Sequence, residues 1–375
     1  MHCEISGIGV RTLSRNPGPR GKDEIGGDPA APEGGGRRPR AISHLLVTGG
    51  GGFVGGNLVR MVLRERPAWR VTVFDSLGGR PSTPVLDGLR EAYPRRFRLI
   101  RERITEGGSL QRLLQDEGVD AVVHAAARNP SGAGAGDPLS FAEINVLGTA
   151  AVLEAARTAW REGQGTFVHL SSYEIFGSHP EGLFTERSPL NPSTPYAASK
   201  AAADELTLAY HRTYGMCTLV TRTTNIYGPF QSSDKLIPSI ALRVRDRKPL
   251  PVFGTGENRR DWIHVEDHNR GVLLALERGS AGRVYPLGAR CERTNLELVR
   301  EVARCSARIL GLDPGEAEAL IVFTPDREAH DARRALDPSA SESELGFVAR
   351  IPFADGLEEA VRSALLDTGA PSVIR

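Results

Sequence analysis

The stretch HLSSYEIFG, residues 169–177, sets two hydroxyls, a phenol and a carboxylate directly behind an apolar run. Further on, PYAASKAAADEL carries Tyr196 and Lys200 four apart at the start of a helical pattern, and so on one face. A phenol ordinarily titrates near ~10. A neighbouring ammonium lowers that value by stabilising phenolate, which suits the phenol to take a proton from a hydroxyl. A tyrosine packed at a helix start beside a solvated lysine accounts for most isolated YxxxK patterns. The surrounding chain has to decide between the two readings.

Part of that decision lies upstream. VTGGGGFVGGN places Gly49, Gly52 and Gly55 directly after a strand-like run and at the opening of a helix-like one. Asp75 ends the next apolar run. Such glycines let backbone approach a pyrophosphate at a helix N-terminus, where free N–H groups and the helix dipole favour negative charge. A carboxylate at Asp75 accepts from adenosine ribose hydroxyls and repels a 2′-phosphate, so the expected dinucleotide is NAD rather than NADP. An oxidised nicotinamide near Tyr196 adds a second cation to favour phenolate.

The elements that position these residues alternate. HLLVTGG (44–50), VTVFDS (71–76), FRLI (97–100), AVVHAAA (121–127), TFVHLSS (166–172) and CTLVTRTTN (217–225) read as buried strands. NLVRMVLRER, SLQRLLQDEG, FAEINVLGTAAVLEAARTAW and SKAAADELTLAYHRTYG read as helices with one apolar face. A βαβ series of this kind predicts an α/β fold with a doubly wound parallel sheet, a Rossmann domain over 42–228. Beyond about residue 228 the pattern loosens into Pro-rich loops and shorter elements. This predicts a smaller C-terminal α/β lobe over 229–375 that binds substrate at the sheet's carboxyl edge. Residues 1–41, dense in Gly, Pro and charge, read as a disordered leader.

TGxxGxxG (Thr48, Gly49, Gly52, Gly55), Asp75, NVLGT (145–149), Ser172 and Tyr196-xxx-Lys200 together resemble the extended short-chain dehydrogenase/reductase family that modifies nucleotide sugars. The resemblance runs from about residue 44 to the C-terminus. It implies that Tyr196 is the base at the sugar 4-hydroxyl and that Lys200 holds the nicotinamide ribose. Ser172 then hydrogen-bonds the same hydroxyl. The implied cofactor set is Gly49, Gly52, Phe53, Val54, Gly55, Asp75, Ala125, Ala126 and Asn145, with Tyr196 and Lys200. Where relatives commonly carry GDI after the third strand, this chain has RERI, which puts Arg103 where an aspartate would face the adenine.

TNIYGPFQSSDKLIP (224–238), KPLPVFGTGENRRDWIHVEDH (248–268) and DREAHDARRALD (326–337) are similar to segments of dTDP-glucose 4,6-dehydratases. Arg260 and Arg327 would then pair with a sugar diphosphate as charge-assisted forks. Asn225 would donate to it, and Lys235, Leu236 and Phe253 would frame the nucleobase. The implied reaction oxidises C4, removes the acidified C5 hydrogen as the 6-hydroxyl leaves, and returns hydride to C6, with Glu174 as the C5 base. Relatives place an aspartate beside that glutamate to protonate the leaving group. Here Tyr173 stands in its place, as a phenolic acid or with a water doing the work. Decarboxylation of a nucleotide hexuronate and 4-epimerisation are alternatives that need no acid at O6. A catalytically silent, NAD-sensing regulator is a further one, disfavoured because Ser172, Tyr196 and Lys200 are all present.

Bulk properties exclude other classes. Lys+Arg 47 against Asp+Glu 46 leaves no global field for nucleic acid or an acidic membrane. Cys3, Cys217, Cys291 and Cys305 are scattered without CxxC spacing, so neither a metal site nor a disulfide framework is expected. No apolar run is read as long enough to span a bilayer. The expectation is a cytoplasmic homodimer that pairs through the helices FAEINVLGTAAVLEAA and SKAAADELTLAYHRTYG and binds a nucleotide-diphosphate sugar.

Overall fold

The computed structural model describes residues 42–366 apart from 79–82, 131–136, 161–163 and 327–329. The leader expected over 1–41 and the arginine expected at 327 therefore lie outside the described residues. Seven parallel strands form the main sheet: β1 (His44–Thr48), β2 (Arg70–Phe74), β3 (Phe97–Ile100), β4 (Ala121–His124), β5 (Thr166–Ser172), β6 (Thr218–Thr223) and, later in the chain, Val284–Leu287. Their order, Val284–Leu287, β6, β5, β4, β1, β2, β3, reverses direction between β1 and β4. That switch point is where doubly wound sheets bind ligands.

Every residue of β1 is buried. Leu45 and Val47 enter one core layer and Leu46 the other, as strand alternation requires when helices cover both faces. The helices α1 (Phe53–Glu65), α2 (Thr83–Ala92), α3 (Gly107–Asp116), α4 (Pro138–Phe141), α5 (Gly148–Ala159) and α6 (Pro195–Tyr214) connect the strands. α2 was not expected, because Pro, Ser and Gly crowd its approach. Leu86 and Leu89, three apart and buried, hold it on the sheet.

The single helix expected over 141–160 is interrupted. A π-helical turn, Ala142–Leu147, joins α4 to α5 and carries Asn145 into the core. The joined run Pro138–Ala159 is long and apolar enough to cross a membrane by length and composition, which corrects the expectation that no such run exists. It packs on α3 and α6 with Asn145 and Thr149 hydrogen-bonded in the interior, the contacts of a core helix.

After β6 come β7 (Asn225–Tyr227), α7 (Leu236–Arg245), β8 (Leu250–Phe253), β9 (Arg259–His264), α8 (Val265–Arg278), β10 (Val284–Leu287), β11 (Glu292–Thr294), α9 (Asn295–Leu310), α10 (Pro314–Glu318), β12 (Ile321–Thr324), β13 (Arg333–Arg334), α11 (Ser339–Leu345) and α12 (Phe353–Leu366). β7, β9, β11 and β13 pair in a small second sheet, and β8 pairs with β12. α7, α9 and α12 enclose a core around Tyr227, Trp262 and Leu250. The chain beyond residue 228 also contributes to the main sheet and its cover: β10 joins the sheet edge and α8 packs on α1.

Candidate active site

The turn after β1 is built by glycine. Gly49 has φ +73°, and a Cβ there would lie 2.5 Å from the Ala126 amide nitrogen. A Cβ on Gly55 would collide with the Gly49 carbonyl oxygen, so glycine is what lets α1 close onto the turn. The Gly52 N–H donates to the Gly49 carbonyl at 3.0 Å, and Gly52 caps α1. The helix then opens at Phe53 and Val54, whose N–H groups have no partner within it. Asp75 braces the loop from the end of β2. Its Oδ2 accepts from the Gly51 N–H at 2.8 Å and its Oδ1 from the Leu77 N–H at 2.7 Å, leaving a further lone pair on each oxygen for ribose hydroxyls. A cradle shaped by absent side chains, with a carboxylate at its rim, fits the expected dinucleotide. Gly55→Ala is expected to weaken NAD binding by about tenfold or more and to lower stability by about 1–3 kcal/mol, since backbone has to shift. Calorimetric titration and thermal melts check both, and unchanged NAD affinity would remove Gly55 from the site.

Ala125 and Ala126 follow β4 beneath this turn, with the Ala125 N–H donating to the Thr48 carbonyl at 3.0 Å. Asn145 fixes the chain beyond them. Its Oδ1 accepts from the Arg128 N–H at 2.7 Å, and its Nδ2 donates to the Arg128 carbonyl at 3.0 Å and to Ser199 Oγ at 2.9 Å. Ser199 in turn donates to the Tyr196 carbonyl at 2.7 Å. Asn145 thus ties the segment after β4 to the helix that carries the tyrosine and lysine. Arg103 lies at the surface with its guanidinium 2.6 Å from Glu143.

A buried chain that the sequence did not announce runs alongside. Thr149 Oγ1 donates to the Asn145 carbonyl at 2.6 Å and so accepts from His124 Nε2 at 2.9 Å. His124 Nδ1 then accepts from Thr48 Oγ1 at 2.7 Å. Burial, with the Lys200 charge next, pushes this imidazole down to about 3. It is neutral, as that tautomer requires.

α6 begins at Pro195, with Thr194 accepting from the Ala197 N–H at 3.1 Å, so Tyr196 sits in its first turn. The phenol is buried, edge-on to Phe141 at 5.7 Å. Burial and then the nearby Glu174 carboxylate push it above its ordinary range. In the chain by itself, therefore, desolvation outweighs the lowering expected from Lys200. The Lys200 Nζ, one turn on, donates to the Leu170 carbonyl at 2.7 Å and to His169 Nε2 at 3.2 Å.

β5 ends at Ser172, whose Oγ accepts from the Glu174 N–H at 3.2 Å and caps the single 3₁₀ turn Tyr173–Phe176. Ser171 is buried on the other side of the strand. Tyr173 is also buried, and its hydroxyl donates to Asn225 Oδ1 at 2.9 Å. Burial raises that phenol too. The hydroxyl is engaged with Asn225 and burial makes the phenol less acidic, which favours a positioning role for Tyr173 over the acid expected of it. Its hydrogen bond turns the Asn225 amide oxygen inward and the NH₂ end away.

Glu174 instead meets a partner that was not anticipated. Its Oε2 lies 3.3 Å from Arg334 Nη1, and the Arg334 guanidinium also sits 2.5 Å from Asp331 and 5.7 Å over the Tyr173 ring. Arg334 lies in the segment from which only Arg327 was singled out. The long-range approach of β13 to the 3₁₀ turn has no local signature. Arg260 is buried close by, with Nη2 donating to the Asp331 carbonyl and Nη1 to the Arg259 carbonyl, each at 2.7 Å. Lys235 caps α7 and donates to the Pro130 carbonyl at 2.7 Å; Leu236 opens that helix and Phe253 closes β8, both half-buried. Tyr196, Lys200, Ser172 and Glu174 are thereby gathered at the carboxyl end of β5 and the start of α6, with Arg334 and Arg260 behind the glutamate.

Known proteins resemble this chain in sequence and fold. The family model for GDP-mannose 4,6 dehydratase matches residues 46–360. A dTDP-glucose 4,6-dehydratase of Streptomyces niveus is 44% identical over 325 residues, 85% of this chain and 91% of that protein. The solved structure of a dTDP-glucose 4,6-dehydratase from Streptomyces venezuelae with NAD bound superimposes with a TM-score of 0.78 at 40% identity, covering 87% of this chain and 98% of the other. A UDP-glucuronic acid 4-epimerase from Bacillus cereus superimposes at 0.76 but with 26% identity, over 86% and 99% of the two chains. The chain belongs to the GDP-mannose 4,6 dehydratase family of the extended short-chain dehydrogenases/reductases, the NAD-dependent epimerase/dehydratase group.

Proposed function

We propose that this chain is an NAD-dependent nucleotide-sugar 4,6-dehydratase acting on a dTDP-glucose-like substrate. The observation that carries the reading is Glu174, a carboxylate set two residues past Ser172 beside Tyr196 and steadied by Arg334. Epimerisation has no use for such a group. NAD, held on the glycine turn and Asp75, supplies reversible acceptance of a hydride. Tyr196 takes the proton of the sugar 4-hydroxyl, with Ser172 hydrogen-bonding the same oxygen and Lys200 supplying positive charge nearby. The ketone at C4 acidifies the hydrogen at C5, and Glu174 removes it. With the Tyr173 hydroxyl bonded to Asn225, Glu174 is also the group that delivers this proton to the departing O6, so that one water leaves; the hydride taken from C4 then returns to C6 and a solvent-derived proton adds at C5, which restores the oxidised cofactor. Asn225, Arg260, Lys235, Leu236, Phe253 and Arg327 are the proposed contacts to the nucleoside diphosphate.

Tyr173→Phe separates the roles. Loss of its hydrogen bond to Asn225 removes about 0.5–1.5 kcal/mol of positioning, so KM rises by about tenfold at most while elimination persists. A fall in kcat of about 10²-fold or more would instead assign the acid to the phenol.

The same reading includes a homodimer formed through the helical segments 141–156 and 199–215, on which Leu147, 64% exposed, and Tyr214, 51% exposed, are large uncovered side chains. Analytical ultracentrifugation tests it, and a monomer at micromolar concentration would refute it. A cytoplasmic location is part of the proposal, in keeping with scattered cysteines, of which Cys217, Cys291 and Cys305 are free thiols.

A further inference from the structure

Behind the catalytic face Lys200 is surrounded by buried polar groups that the proposed reaction does not itself use. Lys200, His169, Asp204 and Arg222 are all buried, at 3%, 1%, 0% and 4% exposure. An ammonium in such a place loses its hydration and reverts to the neutral amine unless protein groups replace it. Two of its three N–H bonds are accounted for, at the Leu170 carbonyl and at His169 Nε2. His169 can accept there only as a neutral imidazole, and burial, followed by the Lys200 charge, holds its proton affinity well below the ordinary value. Asp204, one turn beyond Lys200 on α6, places Oδ1 3.5 Å from the same His169 nitrogen. Its Oδ2 accepts from Arg222 Nε at 3.0 Å, and Arg222 is anchored onward to the Glu186 carbonyl at 3.1 Å. Asp204 Oδ1 and His169 Nδ1 have no hydrogen-bond partner among the described residues. Burial raises the Asp204 carboxyl above its ordinary value, opposed by the Arg222 charge, the Ser171 hydroxyl and the Lys200 charge, so it is the neighbouring charges rather than packing that favour a carboxylate here. Its negative charge is what the lysine lacks elsewhere.

We propose that Asp204 and His169 are positioning residues for Lys200: together they keep its amine charged and fixed under Tyr196, with one N–H left for the ligand side. The groups facing the amine from each neighbouring element are His124 on β4, His169 on β5, Arg222 on β6, Glu174 on the 3₁₀ turn, and Tyr196 and Asp204 on its own helix. Of these, the two histidines are neutral and Arg222 is paired with Asp204. Burial brings Lys200 down to about 8, and Asp204 is the group that opposes this fall. The sign follows directly. Below about 8 the ammonium is present and can stabilise a phenolate, and above it that support is lost. Removing the Asp204 charge moves this upper edge to lower pH.

The chain has four lysines, Lys22, Lys200, Lys235 and Lys248, so ¹³Cε-lysine labelling of the holoenzyme yields four signals, with Lys200 assigned by its loss in Lys200→Met. Asp204→Asn is expected to lower the Lys200 titration midpoint by about one pH unit or more, while Asp204→Glu, which keeps the charge, leaves it near the wild-type value. The alkaline limb of the turnover profile should shift with it. Should Asp204→Asn not fold, His169→Leu carries the same test, because it removes an acceptor that favours the ammonium. A midpoint unmoved in the charge- or acceptor-lacking variant that folds, or moved equally by Asp204→Glu, overturns the proposal. The titration is read without turnover of a sugar, so failure of the dehydratase assignment leaves it intact.

Discussion

Tyr196→Phe is expected to lower turnover by about 10³-fold or more, within the range by which a positioned acid or base accelerates proton transfer. The substitution removes one oxygen. It leaves the ring against Phe141 and the backbone link from Ser199 to the Tyr196 carbonyl untouched, so thermal stability and NAD retention should match the parent protein. Burial raises the phenol of the chain alone. The base therefore becomes competent only with positive charge added on the ligand side, and activity should fall steeply as Lys200 loses its proton above about 8. Undiminished product formation in Tyr196→Phe would remove the hydride step from this residue.

Glu174→Gln should have an effect of similar size at a different point in the reaction. Oxidation at C4 uses Tyr196, Ser172, Lys200 and NAD but not Glu174, so a 4-keto sugar should still form. Removal of the C5 hydrogen should slow by about 10²–10⁴-fold, and deuterium from solvent should no longer enter C5. The amide keeps the size of the side chain and its place beside Arg334, so a loss of exchange reports proton transfer rather than collapse of the site. Full C5 exchange in this variant would mean that another group is the base, and the double use of Glu174 as base and proton donor would fall with it.

The parts of the site that were legible in the sequence are those whose chemistry is written locally. Gly49, Gly52 and Gly55 span the turn into a helix, Asp75 follows a strand, and Tyr196 and Lys200 lie one helix turn apart, so spacing alone brings each set together. The alternating strands and helices up to β6 were equally legible, because each buries a face with its own period. What was not legible is set by contacts distant in sequence. Arg334 reaches Glu174 from a two-residue strand near the end of the chain, and Arg222 reaches Asp204 from β6. The π turn that carries Asn145 inward lies in a stretch whose apolar period reads as unbroken helix. Tyr173 shows the limit most clearly. Its position beside Glu174 suggests an acid, whereas its hydroxyl donates to Asn225, 52 residues on.

The central claim is that this site removes water from a nucleotide hexose. Mass spectrometry of the products from dTDP-glucose, UDP-glucose, UDP-GlcNAc and UDP-glucuronate, each incubated with the NAD-loaded protein in deuterated water, tests it most directly. The expected result is loss of one water from dTDP-glucose with one solvent deuterium retained at C5. Loss of carbon dioxide from UDP-glucuronate, or a sugar converted without change of mass, would contradict it.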